Sequence, residues 1–405
     1  MSILVEDVHE GEPETHRWVS ENGRGKRMSV RIVGAGAAGI NVVDEWILLS
    51  DCPTGSLACD GEASSVDGSL ASQKLLLAPD ITGGLGCFGS RDLAWRMVGQ
   101  ENQQLEELLK DCSRLLIVTG LAGATGATVA EVLSLKAVER EIPTTVFAFP
   151  PFPFETEERQ EAAEATRDAL PAEASLFLFP PPPLSEEPIP DVAAVRRGLR
   201  AFQSALAQWV DVWSGMARGV VLPANPGAEA ESSRFTVAGV IEDCHVFSEA
   251  RARLDLSLPG FLEGSGFRQA AEKADRCLAY IEAGGEDSGW KEELGERLRE
   301  FLPKRTRLDL LRRTEARPTE TRLLLLVGRA ASRHPTPVCP ERDEERPAPE
   351  PARIPLRPCV FPEPEGRLVP ASQASQDGTP FAKTAATLHK GQNLDIPAFR
   401  RRSRS

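Results

Sequence analysis

Gly34-Ala35-Gly36-Ala37-Ala38-Gly39-Ile40-Asn41 follows the apolar run Ser29-Val30-Arg31-Ile32-Val33, and Gly120-Leu121-Ala122-Gly123-Ala124-Thr125-Gly126-Ala127 follows Leu115-Leu116-Ile117-Val118-Thr119. Each stretch reads as a strand, a tight glycine turn and the start of a helix. Glycine lets backbone N–H groups crowd around an anion, and a helix N-terminus adds the positive end of its dipole. One such turn is a weak sign. Two in one domain imply a nucleotide whose phosphates are gripped from both sides.

Working outward, residues 28–184 alternate apolar runs (30–33, 115–119, 145–149, 176–179) with helical patterns (41–49, 90–110, 128–140, 157–170). That alternation predicts an α/β domain with a largely parallel sheet, whose ligands sit at the carboxyl ends of the strands. Both glycine turns fall at such ends. From 191 to 216 a long helix carries Val195, Leu199, Phe202, Leu206, Trp209, Val210 and Trp213 at spacings of three and four, an apolar face for a core or inter-domain position. A weaker region follows to residue 331, with an expected helix over 266–282, a charged middle from 286 to 317 and a strand over 321–327.

The chain has 405 residues, 41% hydrophobic and 26% charged, enough for two or three domains with a real core. A net charge of −13 speaks against a general nucleic-acid binder. The 8 cysteines have no CxxC pair and the 5 histidines no ligand spacing, so buried reduced thiols are expected and no metal site. The longest apolar runs are too short to cross a bilayer, and residues 1–27 lack an apolar signal region, which makes the cytoplasm the default location. Residues 332–385 are rich in proline and charge and read as a linker. It ends in Asp395-Ile396-Pro397-Ala398-Phe399 and the basic run Arg400-Arg401-Arg402-Ser403-Arg404, the pattern of a peptide docked by a partner.

These residues resemble the FtsZ/tubulin family, specifically bacterial FtsZ. Residues 34–41 are similar to its first phosphate loop, retaining Asn41. Thr82-Gly83-Gly84-Leu85-Gly86-Cys87-Phe88-Gly89 is similar to the segment near the γ-phosphate, and residues 120–127 to the family signature. Pro151-Phe152-Pro153-Phe154-Glu155 with Arg159 resembles the stretch whose Glu and Arg hold the ribose side. Asp395, Ile396, Pro397 and Phe399 resemble the C-terminal peptide that meets membrane tethers.

The resemblance implies a Rossmann-like nucleotide-binding domain (28–190), a central helix (191–216), a smaller α+β C-terminal domain (217–331), a linker (332–385) and a docking peptide with a basic end (386–405), after an extension over 1–27. It implies GTP or GDP, with Mg2+ accompanying the nucleotide, held by Gly34, Gly36, Ala37, Ala38, Asn41, Gly86, Gly89, Gly120, Gly123, Ala124, Thr125, Gly126, Glu155 and Arg159. It also implies filaments formed with itself or with FtsZ, membrane-tethering division proteins as partners, and a cytoplasmic place at the division site.

The departures from the family pattern are as informative. Ala124 stands where the family has glycine, an expected strain if that position needs positive φ, and Ala127 removes a hydroxyl expected to face phosphate. Pro181 and Ala207 align with the asparagine and aspartate that read guanine. Neither can read a base edge. The catalytic loop aligns with Ser232-Ser233-Arg234-Phe235-Thr236-Val237, where Arg234 and Val237 take the acidic positions, so hydrolysis is expected to be weak or absent. Glu242 and Asp243, read as helical carboxylates, are the substitute candidates. Two alternatives stay open. Gly34-x-Gly36-x-x-Gly39 with Asp60 after the next strand-like run is also the fingerprint of an NAD(P)-dependent Rossmann oxidoreductase. In the FtsZ-like reading, Asp60 lies instead in a loop near the phosphates. The turns could also survive as tight turns alone, in a nucleotide-independent structural or regulatory protein.

Overall fold

The computed structural model describes residues 29–181, 192–223, 240–251, 258–264, 266–282, 290–313, 321–331, 388–389 and 392–393. The chain divides into two units, Met1–Pro340 and Glu341–Ser405. In the second, the described residues are two short antiparallel strands, Leu388–His389 and Gln392–Asn393. The extension over 1–27, the Arg234 loop, Pro182 onward to residue 191, and the docking residues Asp395, Ile396, Pro397 and Phe399 lie outside the described residues.

The first unit opens with β1 (Ser29–Ala35), α1 (Gly36–Leu49), β2 (Ser56–Asp60), α2 (Ala63–Asp67), β3 (Gln73–Leu76) and α3 (Pro79–Thr82). It continues with α4 (Arg91–Gln100), α5 (Asn102–Leu108), β4 (Cys112–Gly120), α6 (Ala124–Glu139), β5 (Thr144–Phe149), α7 (Glu157–Ala169) and β6 (Ser175–Leu178). The expected helix over 90–110 is thus two helices, broken at Glu101, whose φ and ψ of −90° and 15° leave the helical region.

Six strands pair in parallel in the order β3-β2-β1-β4-β5-β6. This is the doubly wound order, which reverses direction between β1 and β4 and opens a crevice there. Strand β4 is apolar without alternation: Leu115, Leu116, Ile117 and Val118 are all buried, since helices cover both faces. On one face α4, α6 and α7 supply Met97, Leu133 and Ala163. On the other, α1 packs with the long helix α8 (Val192–Arg218). The sheet-facing stripe of α8 centres on Leu206, Trp209, Val210 and Trp213. Trp213 donates to Thr145 Oγ1 (3.1 Å), and Asp211 accepts from the Trp46 indole (3.2 Å).

The remaining elements are β7 (Val221–Pro223), β8 (Val240–Arg251), α9 (Leu258–Gly264), α10 (Phe267–Lys273), β9 (Arg276–Glu282), α11 (Trp290–Phe301), β10 (Arg307–Arg313) and β11 (Thr321–Ala331). They extend the sheet as β8-β11-β9-β10-β7, joined to β6 by the short parallel pairing of Leu176 and Phe177 with Val240 and Ile241. The helix expected over 266–282 ends at Lys273. Its second half is β9, because Cys277, Leu278, Ala279, Tyr280 and Ile281 are buried between two neighbouring strands and both faces demand apolar side chains. Among the described residues no helix is long and apolar enough to cross a membrane. All six described cysteines are free; Cys59, Cys87, Cys244 and Cys277 are buried, and Cys52 and Cys112 are half-buried.

Candidate nucleotide site

The β1–β4 crevice brings the two glycine turns face to face. Ala35 and Thr119 are register partners at the ends of their strands, and Thr119 Oγ1 donates to the Ala35 carbonyl (3.3 Å). From there α1 and α6 leave on opposite faces of the sheet, with their N-termini close together. A Cβ on Gly36 (φ +71°) would stand 3.0 Å from Gly126 Cα, and one on Gly126 would stand 2.6 Å from the Ala35 oxygen. The glycines are therefore the condition for two helix N-termini to share one crevice. Neither N-cap, Ala35 nor Gly123, offers a side chain to the first-turn N–H groups. Two adjacent uncapped N-termini form an anion floor, the chemistry a phosphate chain requires.

Ala37, Ala38 and Asn41 are exposed along this floor, with Gly36 buried beneath. Gly120, Gly123 and Thr125 line the facing turn. Ala124 is the first residue of α6 after Gly123 (φ −85°), and its φ is not positive. The expected strain is absent, since the helix itself begins here and alanine suits it. Ala127 is 1% exposed within α6, so a hydroxyl at that position would enter packed interior instead of facing phosphate.

The third glycine stretch closes a flank. Gly83, Gly84, Gly86, Phe88 and Gly89 all have positive φ, and the loop is tied down by Gly86 N–H to Gly61 O (2.9 Å) and Ala63 N–H to Gly84 O (2.8 Å). Cys87 Sγ lies 3.1 Å from Thr125 Oγ1, joining this loop to the second turn. Asp60 is the last residue of β2, not a loop residue. It is buried and accepts from Gly61 N–H (2.7 Å). Burial pushes its carboxyl above the ordinary carboxylate value, opposed by the N–H groups of Gly61, Glu62 and Ala37.

The other flank is aromatic. Phe149 ends β5, its ring 3.2 Å from where a Cβ on Gly120 would lie, and it meets Phe202 of α8 edge-on with centroids 5.6 Å apart. Glu155 and Arg159 sit beyond it as an ion pair of 2.5 Å, and Glu155 also accepts from Phe152 N–H (2.8 Å).

Sequence reasoning missed the network behind the turns. Arg91 pairs with Glu131, which is 3% exposed, and donates to Thr166 Oγ1 (2.8 Å); the Thr166 hydroxyl lies within hydrogen-bond distance of the Ala162 carbonyl (2.8 Å) and of the Leu121 carbonyl of the second turn (3.2 Å). Burial raises the Glu131 carboxyl and Arg91 lowers it. The partners stand 40 and 75 positions from Arg91, so no local signal announces them.

Glu242 and Asp243 are not on a helix. They lie in β8, where Asp243 takes φ +51°. Glu242 pairs with Arg167 (2.9 Å) and Arg329 (3.3 Å), and Asp243 with Arg329 (3.3 Å). They border a cleft of about 270 Å³ with Leu121, Pro150, Ala163 and Leu178, beside α7 and not over the anion floor. Ala207 is fully buried in the α8 face.

A doubly wound sheet with two uncapped helix N-termini at its crossover defines the class: an α/β protein whose crevice has the chemistry to suit an anion. Residues 29–180 match the family described as Tubulin/FtsZ family, GTPase domain. Over this α/β region the chain resembles the Tubulin/FtsZ family. It is 26% identical over 193 residues to the cell division protein FtsZ of Pseudomonas aeruginosa, covering 47% of each chain. To the FtsZ of Methanothermobacter thermautotrophicus it is 28% identical over 165 residues, covering 41% of this chain and 42% of that one. The matches thus span about half the length of these relatives. The fold is shared with an empty FtsZ dimer from M. jannaschii (TM-score 0.58, 17% identity, 75% of this chain and 88% of that one). It is shared also with a GTPγS-bound CetZ2 protofilament from Haloferax volcanii (TM-score 0.56, 17% identity, 76% and 95%).

Proposed function

We propose that the protein is an FtsZ-like cytoskeletal protein that binds a nucleoside di- or triphosphate of the GTP/GDP kind in the β1–β4 crevice and assembles with itself or with FtsZ. The observation that carries this reading is the pair of uncapped helix N-termini facing one another. Gly34, Gly36, Ala37, Ala38, Gly120, Gly123, Ala124, Thr125 and Gly126 would cradle the phosphates through backbone N–H groups. Asn41, Gly86 and Gly89 would border them, and Glu155 and Arg159 would take the ribose side. Mg2+ carried with the phosphates would supply charge neutralisation, with Asp60 the carboxylate nearest the first turn.

Assembly is supported by apolar exposure on the third glycine loop and on α4. Leu85 and Trp95 are exposed, and Phe88 is 81% exposed in spite of its positive φ. Such a surface suits a heterologous end-to-end contact, which propagates as an open filament when no ring closes. Hydrolysis is weak or absent in this reading. Arg234 and Val237 stand at the acidic positions of the catalytic loop, and Glu242 and Asp243 are committed to arginines. The Pro-rich segment would space the filament from membrane-tethering division proteins gripped by Asp395, Ile396, Pro397 and Phe399, in the cytoplasm at the division site.

The test is a thermal-shift titration with GTP, GDP, ATP and NAD, with sedimentation and phosphate release read from the same samples. Nucleoside phosphates should raise the melting temperature and yield pelletable polymer. Phosphate release should stay near background in the wild type and in Glu242→Ala and Asp243→Ala. A shift with NAD alone would favour the oxidoreductase, and no shift with any ligand would leave a nucleotide-independent structural protein.

A further inference from the structure

We infer that copies of this chain associate side by side, the acidic outer face of α7 on one copy receiving the arginine-rich opening turns of α8 on the next. Helix α7 exposes Glu157, Glu158, Glu161, Glu164 and Asp168, and none of these carboxylates has a hydrogen-bond or ion-pair partner among the described residues. Its two arginines are already engaged, Arg159 with Glu155 and Arg167 with Glu242. Glu157 and Glu158 suit the positive end of the helix dipole. The other three have no such reason. Glu157, Glu161, Glu164 and Asp168 follow one another at helical spacing, so they form one stripe in which each charge repels the next. Asp168 also stands in the last turn, at the negative end of the dipole. The helix thus keeps a single sign along its outer face against its own stability, which a merely solvated face of mixed charge would not require.

The complementary surface lies on the opposite face of the sheet. Helix α8 opens with Val192, 65% exposed, and carries Arg196, Arg197 and Arg200, all exposed. Its first turn holds no acidic residue, and the three guanidiniums have no hydrogen-bond or ion-pair partner among the described residues. Asp211, the carboxylate of α8, is committed further along to Trp46 and Arg313. Val192 adds an apolar contact to the basic patch. Its counterpart is the cleft beside α7, lined by Leu121, Ala163 and Leu178 together with Glu164 of the acidic stripe. At a net charge of −13 copies repel one another in general, so a lone basic patch selects where they can meet. Helix α7 packs on one face of the sheet and α8 on the other. The contact is therefore heterologous, each copy offering α7 to one neighbour and α8 to the other, and it repeats sideways. It does not use the anion floor and needs no nucleotide.

The experiment uses the full chain without nucleotide, at about 0.2 mM protein, and reads self-association by sedimentation velocity at about 50 mM and about 500 mM salt. The wild type should associate at low salt and at least about ten-fold more weakly at high salt. Two variants reverse one surface each: Glu161→Lys with Glu164→Lys, and Arg197→Glu with Arg200→Glu. Each alone should associate at least about ten-fold more weakly than the wild type at low salt, with its melting temperature unchanged, since all four side chains are exposed. Mixed in equal amounts, the two should associate again as alternating copies, because the reversed α7 of one meets the reversed α8 of the other. A wild type that stays monomeric at low salt, or association that high salt leaves intact, overturns the inference. So does a mixture that remains dissociated, or loss of association in only one of the two variants. This contact and the phosphate reading fail separately. Salt-sensitive association with no nucleotide-induced rise in melting temperature upholds the contact against that reading. Nucleotide-driven polymer from a wild type that is monomeric without nucleotide at low salt upholds that reading against the contact.

Discussion

Replacing Gly39 by alanine tests whether the glycine turns hold the sheet and the helix together. A Cβ there would stand 2.0 Å from the Val118 carbonyl oxygen and 2.9 Å from its carbon, where ordinary contact begins at 3.4 Å. The obstacle is backbone in the middle of β4, so it cannot swing aside. The N-terminus of α1 must instead back away from β4 by more than an ångström. Overpacking of this kind costs about 3 kcal/mol, while alanine in a helix regains at most about 1 kcal/mol over glycine. The net loss of about 2 kcal/mol should lower the melting temperature by about 4 °C in a unit of this size. Because α1 carries half of the anion floor, nucleotide affinity should fall with it.

Gly99, in the last turn of α4, is the internal control. It is exposed, and nothing lies within 4 Å of its Cβ position. Gly99→Ala should therefore be neutral or stabilising by up to about 1 kcal/mol. Thermal and urea unfolding followed by circular dichroism measure both variants. If Gly39→Ala melts within a degree of the wild type, the close approach of α1 to β4 does not exist in solution and the packing argument for the turns is refuted.

Asp60 makes a pH signature. Its folded value is raised, so between the ordinary carboxylate value and the folded one the native state holds a proton that the unfolded state has lost. Stability should fall as pH rises through that window, and Asp60→Asn should remove this slope, gaining on the wild type toward neutral pH in denaturant titrations across acid to neutral buffers. Arg91→Ala strands the buried Glu131 carboxylate and should cost about 3 kcal/mol at neutral pH. Adding Glu131→Gln should recover most of that loss, and acidification should shrink it, as unfolding at two pH values will report. Deleting residues 390–405 should leave the melting temperature unchanged and abolish recruitment to a membrane tether. Unaltered localisation of a fluorescent fusion would end the docking-peptide proposal.

Much of the fold was legible because its signals are local. Each of the strands at 30–33, 115–119, 145–149 and 176–179 is an apolar run bounded by turn residues, and each helix has its own period. The misreadings have local causes too. Residues 276–282 carry an apolar run that suits a helix or a doubly buried strand equally, and only the neighbours β11 and β10 settle which. Glu242 and Asp243 sit in a stretch whose charges look helical, while pairing with β11 makes it a strand.

The sequence by itself determined that two glycine turns end strands and open helices, since this follows from residue type and spacing along the chain. Only the tertiary structure decided that the two turns form one floor, because the crossover that sets β4 beside β1 is a property of strand order. It alone decided that Ala124 is unstrained at the start of α6. It alone joined Arg91, Glu131 and Thr166, and set Phe149 against Gly120 and Phe202. Those contacts join residues far apart in sequence, and the packing of helices on the sheet supplies the proximity that local pattern does not encode.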